Sequence, residues 1–285
     1  MNKDKILITG STGFIGKELL KAFKHKKVYI LSRKKGKKKY TKHIHIKCDL
    51  RKKNEVKSIL KKVSPTIIYH LAWHGIPTFD KTNFQINKQV TNNLIECINK
   101  SSCKKIIISG SCAEYGILMS CAKETSKAGK DISDLGKQKN YIRNLFFKKL
   151  DKTIICIWSR IFYVYGFGQR KGSLLNSILS CKEKFFELKT PKSYNDFIYI
   201  KDVINALIII KNFKKSLIVN ICTAKALSNL YFATSFAKNV DIKISTNKSK
   251  MRTKKQLLYG SNRLLKKIGW RQHFNLQSSF KDILS

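Results

Sequence analysis

Short apolar runs alternate with amphipathic segments along the first half of the chain. The longest amphipathic segment, residues 83–99, carries its apolar side chains at helical spacing and predicts a helix. The apolar runs have the length of buried strands, and we expect strands at residues 6–8, 27–33, 43–47, 66–72, 105–110 and 153–158. Nearly all-apolar strands that alternate with helices build a parallel sheet covered on both faces. The pattern therefore predicts an α/β fold with a doubly wound parallel sheet.

The first predicted strand ends in a glycine-rich turn. Gly10, Gly13 and Gly16 follow the strand, and a helical pattern begins at residue 17. In a dinucleotide-binding loop such glycines permit a tight turn, a close approach to the pyrophosphate and close helix–strand packing, and the phosphates lie at the helix N-terminus. An ordinary strand-to-helix turn is the alternative, but the position directly after a strand favours a Rossmann-like loop. We expect cofactor contacts from Gly10, Thr12, Gly13, Phe14, Ile15 and Gly16.

The ends of the next strands carry residues that would meet the rest of a dinucleotide. Ser32, Arg33 and Lys34 end the second strand, where a basic side chain accommodates a 2′-phosphate and an acidic one binds the ribose 2′-hydroxyl. The sequence favours NADP(H) over NAD(H), with Arg33 as the ligand, although a solvated basic turn also fits so lysine-rich a chain. Asp49 lies where a carboxylate could meet the adenine amino group. We also expect cofactor contacts from Leu50, Leu71 and Ala72.

Length and composition limit the classes of protein that fit. The 285 residues suffice for one large α/β domain or for one with a small appendage. No apolar run approaches the roughly 20 residues of a membrane span, and the N-terminus lacks a signal-peptide pattern, so we expect a cytoplasmic protein with no membrane partner. The eight cysteines show no metal-binding or paired spacing. We expect reduced thiols and no metal site.

The formal net charge of +42 is the unusual feature of the composition. So basic a chain attracts polyanions, and nucleic acid is one candidate. Lysine is spread through every segment, however, and isoleucine and asparagine are abundant while there are only three prolines. We attribute this pattern to A/T-biased codon usage and expect no nucleic-acid partner, because no basic stripe with interleaved aromatic residues is present. Anionic substrates and cofactors would be attracted in either case.

Motifs in a fixed order resemble those of one enzyme family. They are TGSTGFIG (9–16), CDL (48–50), YHLAW (69–73), SGSCAEYG (109–116), SRIFYVYGFGQR (159–170), NDFIYIKDV (195–203), VNICTAKALS (219–228) and LLKKIGW (264–270). The chain thus resembles an extended short-chain dehydrogenase/reductase of the NAD-dependent epimerase/dehydratase family, which acts on nucleotide sugars. The resemblance implies a Rossmann-like domain of residues 1–165 plus about 195–215. It also implies a small C-terminal α+β substrate lobe of residues 166–194 and 216–285.

The resemblance implies a catalytic trio of serine or threonine, tyrosine and lysine. Ser111 would hydrogen-bond the reacting sugar oxygen, and Lys139 would hold the nicotinamide ribose and lower the pKa of a neighbouring phenol. Leu135 takes the place of the tyrosine, four residues before Lys139, and residues 117–140 contain no tyrosine. Leucine neither donates nor accepts a proton. Either Ser111, Lys139 or a bound water relays the proton, or the chain only binds its ligands.

Residues near Ser111 and in the expected lobe narrow the reaction. The 4,6-dehydratases of the family have an Asp-Glu pair after this position, whereas Cys112 and Ala113 follow it here, which disfavours dehydration. Reduction or epimerisation at a sugar carbon, most often C4, remains. The resemblance implies substrate contacts from Tyr115, which shapes the site, and from Arg170, Asn176 and Arg252, although a solvated arginine explains Arg252 equally well.

These observations predict an NADP(H)-dependent nucleotide-sugar reductase or epimerase that serves deoxysugar and surface-polysaccharide synthesis. The alternative is a catalytically impaired binding protein on the same fold, which could bind a polyanion. The helix that carries Lys139 also has a broad apolar stripe from Tyr141 to Leu150. Core packing explains much of this stripe, and the resemblance implies a homodimer formed with the helix at residues 83–99.

Overall fold

The computed structural model describes residues 4–34, 42–118, 120–246 and 257–285. Its largest unit is a seven-stranded parallel sheet. The strands are β1 (Ile6–Thr9), β2 (Val28–Ser32), β3 (His43–Lys47), β4 (Ile67–His70), β5 (Lys105–Ser111), β6 (Ile155–Ile161) and β11 (Leu217–Ile221). They lie in the order β11-β6-β5-β4-β1-β2-β3. The first six strands thus have the order of a doubly wound Rossmann-like sheet, which confirms the predicted fold class.

Helices cover both faces of this sheet. They are α1 (Phe14–Ala22), α2 (Lys53–Val63), α3 (Lys81–Ile98), α4 (Asp134–Lys149) and α6 (Ile200–Ile209). Helix α3 packs between α2 and α4, whereas α1 packs against α6. Alternate residues of β1 point to opposite faces, so Ile6 and Ile8 belong to the core beneath α1 and α6 while Leu7 belongs to the other core. Two apolar layers therefore hold the central strand.

Short elements complete the chain on the side of α6. The strands are β7 (Tyr163–Tyr165), β8 (Phe185–Glu187), β9 (Tyr194–Asn195), β10 (Phe197–Tyr199), β12 (Leu227–Ser228), β13 (Lys243–Ser245) and β14 (Leu257–Leu258). The helices are α5 (Leu174–Leu179), α7 (Asn229–Ala237), α8 (Arg263–Lys267) and α9 (Leu276–Leu284). Strand β11 pairs with β6 in the central sheet, although it lies in the range 216–285 that was expected to belong to the lobe. The domain boundary expected at residue 216 therefore assigns one strand of the central sheet to the substrate lobe.

Two buried carboxylates connect distant segments to the chain around α6. Asp196 accepts hydrogen bonds from the backbone N–H groups of Thr223, Ala224 and Gly260, and burial raises its pKa to about 6. Asp202 accepts hydrogen bonds from the backbone N–H groups of His273 and Phe274. These contacts fix where the C-terminal elements lie relative to the sheet.

All eight cysteines are free thiols. Within the four described ranges, no group of three His, Cys, Asp or Glu side chains could hold a metal ion. The helices of the same ranges include none with the length and apolar character needed to cross a lipid bilayer.

Candidate functional site

A cavity of about 790 Å³ lies at the carboxyl edge of the central sheet. Residues that follow β1, β2, β3, β4, β5 and β6 form its wall, together with parts of α3 and α4. This edge is where open α/β sheets bind their ligands, because the connections diverge there and leave a crevice.

The turn after β1 forms one side of the cavity, and its glycines expose backbone atoms there. Gly10 has a φ of +75°, and a Cβ on it would lie 2.4 Å from the backbone nitrogen of Ala72. A Cβ on Gly16 would lie 2.2 Å from the carbonyl oxygen of Gly10. All six loop residues that were expected to contact a cofactor line the cavity, namely Gly10, Thr12, Gly13, Phe14, Ile15 and Gly16.

Helix α1 begins in this turn and directs its first N–H groups toward the space that the glycines leave open. Its N-cap, Gly13, provides no side-chain hydrogen bond, and the first turn contains no acidic residue. The N-terminus of such a helix favours a negative charge. The turn therefore fits the pyrophosphate of a dinucleotide.

Two arginines and one carboxylate line the cavity near the ends of β2 and β3. Arg33 lines the wall, as do Asp49, Leu50 and Arg51. The Arg51 guanidinium binds both carboxylate oxygens of Asp49 through Nε at 3.0 Å. These hydrogen bonds lower the pKa of Asp49 to about 2. The carboxylate that was expected to meet adenine is thus engaged by an arginine that sequence reasoning missed, although it lies only two residues away.

The turn after β5 holds Ser111 at the cavity wall. Its Oγ accepts a hydrogen bond from the N–H of Ala113 at 3.1 Å, and its own N–H donates to Oε1 of Glu114 at 2.9 Å. This reciprocal pair is a capping box at the start of a 3₁₀ turn, Cys112–Tyr115. The hydroxyl is therefore fixed by the backbone of the turn.

Glu114 lies behind this wall rather than in the cavity. Its Oε1 accepts a hydrogen bond from the indole of Trp158 at 2.8 Å. Its Oε2 accepts hydrogen bonds from Arg143 at 2.8 Å and from Arg160 at 3.0 Å. A carboxylate held by two arginines and an indole is a structural anchor, and it is not positioned to exchange a proton with a ligand.

Lys139 lines the cavity from α4, with only 6% of its surface exposed. Its Nζ donates to the carbonyl oxygen of Ser109 at 2.6 Å. The same atom lies 3.8 Å from the centre of the Trp73 ring. Burial lowers the pKa of Lys139 to about 7, and the charge of Glu114 opposes this effect only in part. The structure thus brings Ser111 and Lys139 to the same cavity.

Trp73 is a functional candidate that sequence reasoning missed. It follows Leu71 and Ala72, the two residues expected to contact a cofactor, and all three line the cavity. Its Nε1 is buried and has no hydrogen-bond partner within the described ranges. An indole N–H is a donor only, so it can pair only with an acceptor such as a ligand oxygen. The signal in the sequence was a bulky aromatic residue directly after a strand that ends at the sheet's carboxyl edge.

Leu135 lies in the first turn of α4 and also lines the cavity. It is one helical turn before Lys139, and so the two side chains share one face of α4. His74 and Tyr163 line the same cavity and were not identified from the sequence. The position four residues before Lys139 therefore presents an apolar side chain to the site.

The expected substrate residues separate into different environments. Tyr115 is fully buried and does not line the cavity, which corrects the expected ligand contact. Its hydroxyl lies within hydrogen-bonding distance of the Lys123 carbonyl and Asn220 Oδ1, so it shapes the site from behind. Arg170 does line the cavity. Asn176 supports that wall indirectly, because its Nδ2 donates to the carbonyl of Gln169, and Arg252 lies outside the described residues.

Comparisons with known proteins agree with this architecture. The family model described as the NAD dependent epimerase/dehydratase family matches residues 6–222. The GDP-6-deoxy-D-talose 4-dehydrogenase of Aggregatibacter actinomycetemcomitans is 28% identical over 228 residues, which cover 77% of this chain and 74% of that protein.

Two solved structures share the fold. MoeE5 in complex with UDP-glucuronic acid and NAD gives a TM-score of 0.82 at 20% identity, covering 97% of this chain and 96% of that one. The ADP-L-glycero-D-manno-heptose-6-epimerase of Helicobacter pylori gives a TM-score of 0.81 at 22% identity, covering 99% of this chain and 95% of that one.

Proposed function

The chain belongs to the NAD dependent epimerase/dehydratase family, and we propose that it is an NADP(H)-dependent reductase or epimerase acting at C4 of a nucleotide sugar. The observation that carries the proposal is that the glycine turn, Ser111 and Lys139 line the same cavity. The relative named as a GDP-6-deoxy-D-talose 4-dehydrogenase supports chemistry at C4. The product would be a deoxysugar precursor for a surface polysaccharide.

Each group in the wall has a role in this reaction. The bound nicotinamide supplies or accepts a hydride at the sugar carbon. The glycine turn and the N-terminus of α1 bind the pyrophosphate, and Lys139 holds the ribose that carries the nicotinamide. The Ser111 hydroxyl hydrogen-bonds the reacting sugar oxygen, and the unpartnered indole N–H of Trp73 donates to the ligand. Arg170 attracts the diphosphate of the sugar nucleotide.

The preference for NADP(H) is supported by the charges at the adenosine end of the cavity. Arg33 and Arg51 both line this end, and Arg51 already neutralises the carboxylate of Asp49. A 2′-phosphate gains from the charge of Arg33, which is unpaired within the described ranges. A ribose hydroxyl would instead require an available carboxylate as its acceptor, and that of Asp49 is engaged by Arg51.

The choice of reduction or epimerisation over dehydration is supported by the surroundings of Ser111. Elimination of water needs a carboxylic acid and a base close to the sugar. Cys112 and Ala113 line the cavity but supply neither, because burial raises the pKa of the Cys112 thiol beyond any useful range. The nearest carboxylate, Glu114, is bound by Arg143 and Arg160 behind the wall.

We further propose a cytoplasmic homodimer. The eight free cysteines are typical of a reducing compartment. Tyr141 of α4 is 40% exposed and contacts Phe84 of α3 edge-on, with 5.3 Å between the ring centres. An exposed tyrosine on α4 that packs on a half-buried phenylalanine of α3 supports an interface formed by these two helices.

The test is to incubate the purified chain with NADPH and a panel of nucleoside-diphospho-4-keto-6-deoxy sugars. Loss of NADPH absorbance, with a reduced sugar nucleotide identified by mass spectrometry, supports the proposed reductase. The epimerase form of the proposal predicts exchange of C4 stereochemistry in a nucleotide sugar without net change in the cofactor. Absence of both results across the panel contradicts the proposed activity.

A non-catalytic binding protein is the second candidate, and Leu135 at the cavity wall is the observation that favours it. Such a protein would bind the dinucleotide, and its charge of +42 would allow it to bind RNA or another polyanion. Filter binding of RNA across a salt series tests the second part. An affinity with no steep salt dependence, or no affinity at all, contradicts a polyanion-binding function.

A further inference from the structure

The proton donor for the reacting sugar oxygen can be assigned from the surroundings of Leu135. We infer that Lys139 itself gives and takes this proton, in place of a tyrosine whose position is held by Leu135. This inference rests on the proposed function, and it makes Lys139 a catalytic residue as well as a cofactor ligand.

The geometry of α4 supports this assignment. Leu135 and Lys139 share one face of the helix and both line the cavity. An ammonium group has three N–H donors. The Ser109 carbonyl accepts one at 2.6 Å, and the ring of Trp73 lies 3.8 Å from Nζ. The ring contact uses no N–H hydrogen bond, so two donors remain, one for the ribose of the cofactor and one for the reacting sugar oxygen, and leucine adds no competing acceptor beside them.

The charges around Nζ allow the group to change its protonation state near neutrality. Burial, together with the nearby charge of Lys139, lowers the pKa of His70 on β4 to about 3. His70 therefore stays neutral. Glu114 is the nearby anion, but Arg143 and Arg160 are bound to it. Burial consequently dominates and lowers the pKa of Lys139 to about 7. An acid with a pKa near the working pH is the most effective proton donor and is easily restored.

The proton transfer balances in both directions. As the carbonyl carbon of a 4-keto sugar accepts a hydride, the electron pair of its π bond moves to oxygen. That oxygen takes a proton from Nζ, and an N–H bond breaks as the O–H bond forms. Lys139 is left as a neutral amine and recovers its proton from water. In the oxidative direction the neutral amine accepts the hydroxyl proton.

His74 and Tyr163 are the competing groups, since both line the cavity and both can carry a proton. The backbone of His74 is fixed by Asn87, whose Oδ1 accepts from the His74 N–H at 2.9 Å and whose Nδ2 donates to its carbonyl at 3.0 Å. His74→Asn and Tyr163→Phe remove the titrating groups with small changes in volume. These variants are therefore included in the experiment alongside the lysine variants.

A first measurement requires no turnover. Competitive reductive methylation of the ligand-free protein with isotope-labelled formaldehyde, followed by peptide mass spectrometry, gives the pH dependence of labelling at each lysine. We expect Lys139 to have a midpoint near the pH of its lowered pKa, and NADPH to protect it. A midpoint equal to that of exposed lysines such as Lys137 overturns the inference.

A second measurement uses chemical rescue. We expect Lys139→Ala to lose at least about a hundredfold in kcat, the usual size of an acid–base contribution. Methylamine or ethylamine should restore part of the rate, in proportion to the concentration of the protonated amine in the reductive direction. We expect Lys139→Arg to bind NADPH but to remain inactive, because a guanidinium does not release its proton. His74→Asn and Tyr163→Phe should each lose much less in kcat than Lys139→Ala, and added amine should not raise their rates.

The outcomes separate the two proposals. If the unaltered protein turns over a sugar but Lys139→Ala keeps its kcat within about threefold, or if Lys139→Arg is fully active, the proton role is overturned and the proposed function stands. A hundredfold loss in His74→Asn or Tyr163→Phe, with no amine rescue of Lys139→Ala, also overturns the proton role. If the unaltered protein turns over nothing, the proposed function fails and this inference with it. Circular dichroism of each variant, with Lys139→Met as a second substitution of similar shape, excludes misfolding as the cause of a loss.

Discussion

Lys139 is the residue at which function and stability conflict most directly. Its ammonium group is removed from water, and the compensation comes from one carbonyl and the face of Trp73. The folded chain therefore holds the proton of Lys139 less tightly than the unfolded chain does. Buried groups with strongly altered pKa values are concentrated at functional sites. There the loss of folding stability persists because the reaction needs the altered pKa.

We expect Lys139→Met to stabilise the protein by about 2 kcal/mol at pH 7, because methionine fills a similar volume without a charge to bury. The pKa of Lys139 falls from 10.5 to about 7 on folding, so the unfolded chain binds the extra proton between these values. The stability of the unaltered protein then rises with pH across this window, and the advantage of the variant shrinks toward its upper end. Urea unfolding at about pH 7 and about pH 9.5 measures both effects. A variant that is less stable at neutral pH contradicts this account.

Leu135 gives a second prediction at this scale. Leu135→Tyr places a phenol one turn before Lys139, and we expect kcat to rise at least about tenfold. This is less than the full contribution of an acid–base group, roughly 10²–10⁴-fold, because Lys139 already supplies the proton. Leu135→Phe is the matched control, since it adds the ring without the hydroxyl. The readout is NADPH oxidation with a 4-keto sugar nucleotide, with NADPH affinity measured in parallel. Equal rates for the two variants would show that the hydroxyl is not what the site lacks.

Arg33 tests the choice of cofactor. We expect Arg33→Ser to weaken NADPH binding by about tenfold, equivalent to about 1.4 kcal/mol, and to leave NADH binding nearly unchanged. Lys34→Ser is the control, because Lys34 is the neighbouring cation and does not line the cavity. Isothermal titration calorimetry with both dinucleotides gives the ratio. Equal losses from both substitutions would indicate general charge attraction rather than a phosphate contact.

The proposed catalytic pair could be placed from the sequence, but its surroundings could not. Ser111 belongs to the motif at 109–116, Lys139 was placed by the resemblance alone, and both line the cavity. The contacts that modify such groups come from residues distant in sequence, as when Trp73 approaches Lys139. The motif also did not show which way the Tyr115 side chain points. In the structure its ring packs under the Arg160 guanidinium and does not line the cavity. Tertiary contact decides these details.

At the scale of elements, six of the seven strands of the central sheet were predictable because each is a short apolar or alternating run bounded by polar or glycine residues, and β11 was not. The end of β6 was less so. The sequence predicts an end at residue 158, whereas the strand continues to Ile161. Ser159 and Arg160 look like loop residues, yet both are buried, and Arg160 is accommodated because it binds Glu114. A partner supplied by another segment thus extends the strand.

The turn between β1 and α1 can be tested as an element. We expect Gly10→Ala to abolish dinucleotide binding and to destabilise the chain by at least about 2 kcal/mol, because a left-handed conformation and a backbone collision coincide there. Gly269→Ala is the matched control, since Gly269 has a φ of +87° but open space around it, and it should cost only about 1 kcal/mol. Thermal unfolding and calorimetry provide the measurements. Similar losses at both positions would mean that the backbone conformation, and not the close approach to Ala72, is the constraint.

At the scale of the whole molecule, the proposed homodimer places α3 and α4 against their copies in a second chain. We expect Tyr141→Glu to convert the dimer to a monomer, because a charge would be buried beside Phe84 at the interface. Tyr231→Glu is the control, since Tyr231 is also an exposed tyrosine, 57% exposed, but belongs to α7 and not to α3 or α4. Sedimentation equilibrium measures the mass. A monomeric unaltered protein contradicts the proposed assembly.

The position of β1 in the middle of the sheet has a consequence for biosynthesis. Its register places Thr9 beside His70, 61 residues later in the chain. At the roughly 5–20 residues per second of translation, β4 is synthesised on the order of 3–12 s after β1. Leu71 and Ala72, which close against Gly10, emerge later still. Nascent chains should therefore acquire their nucleotide only after the ribosome has passed this point, although the loop for its phosphates is made far earlier.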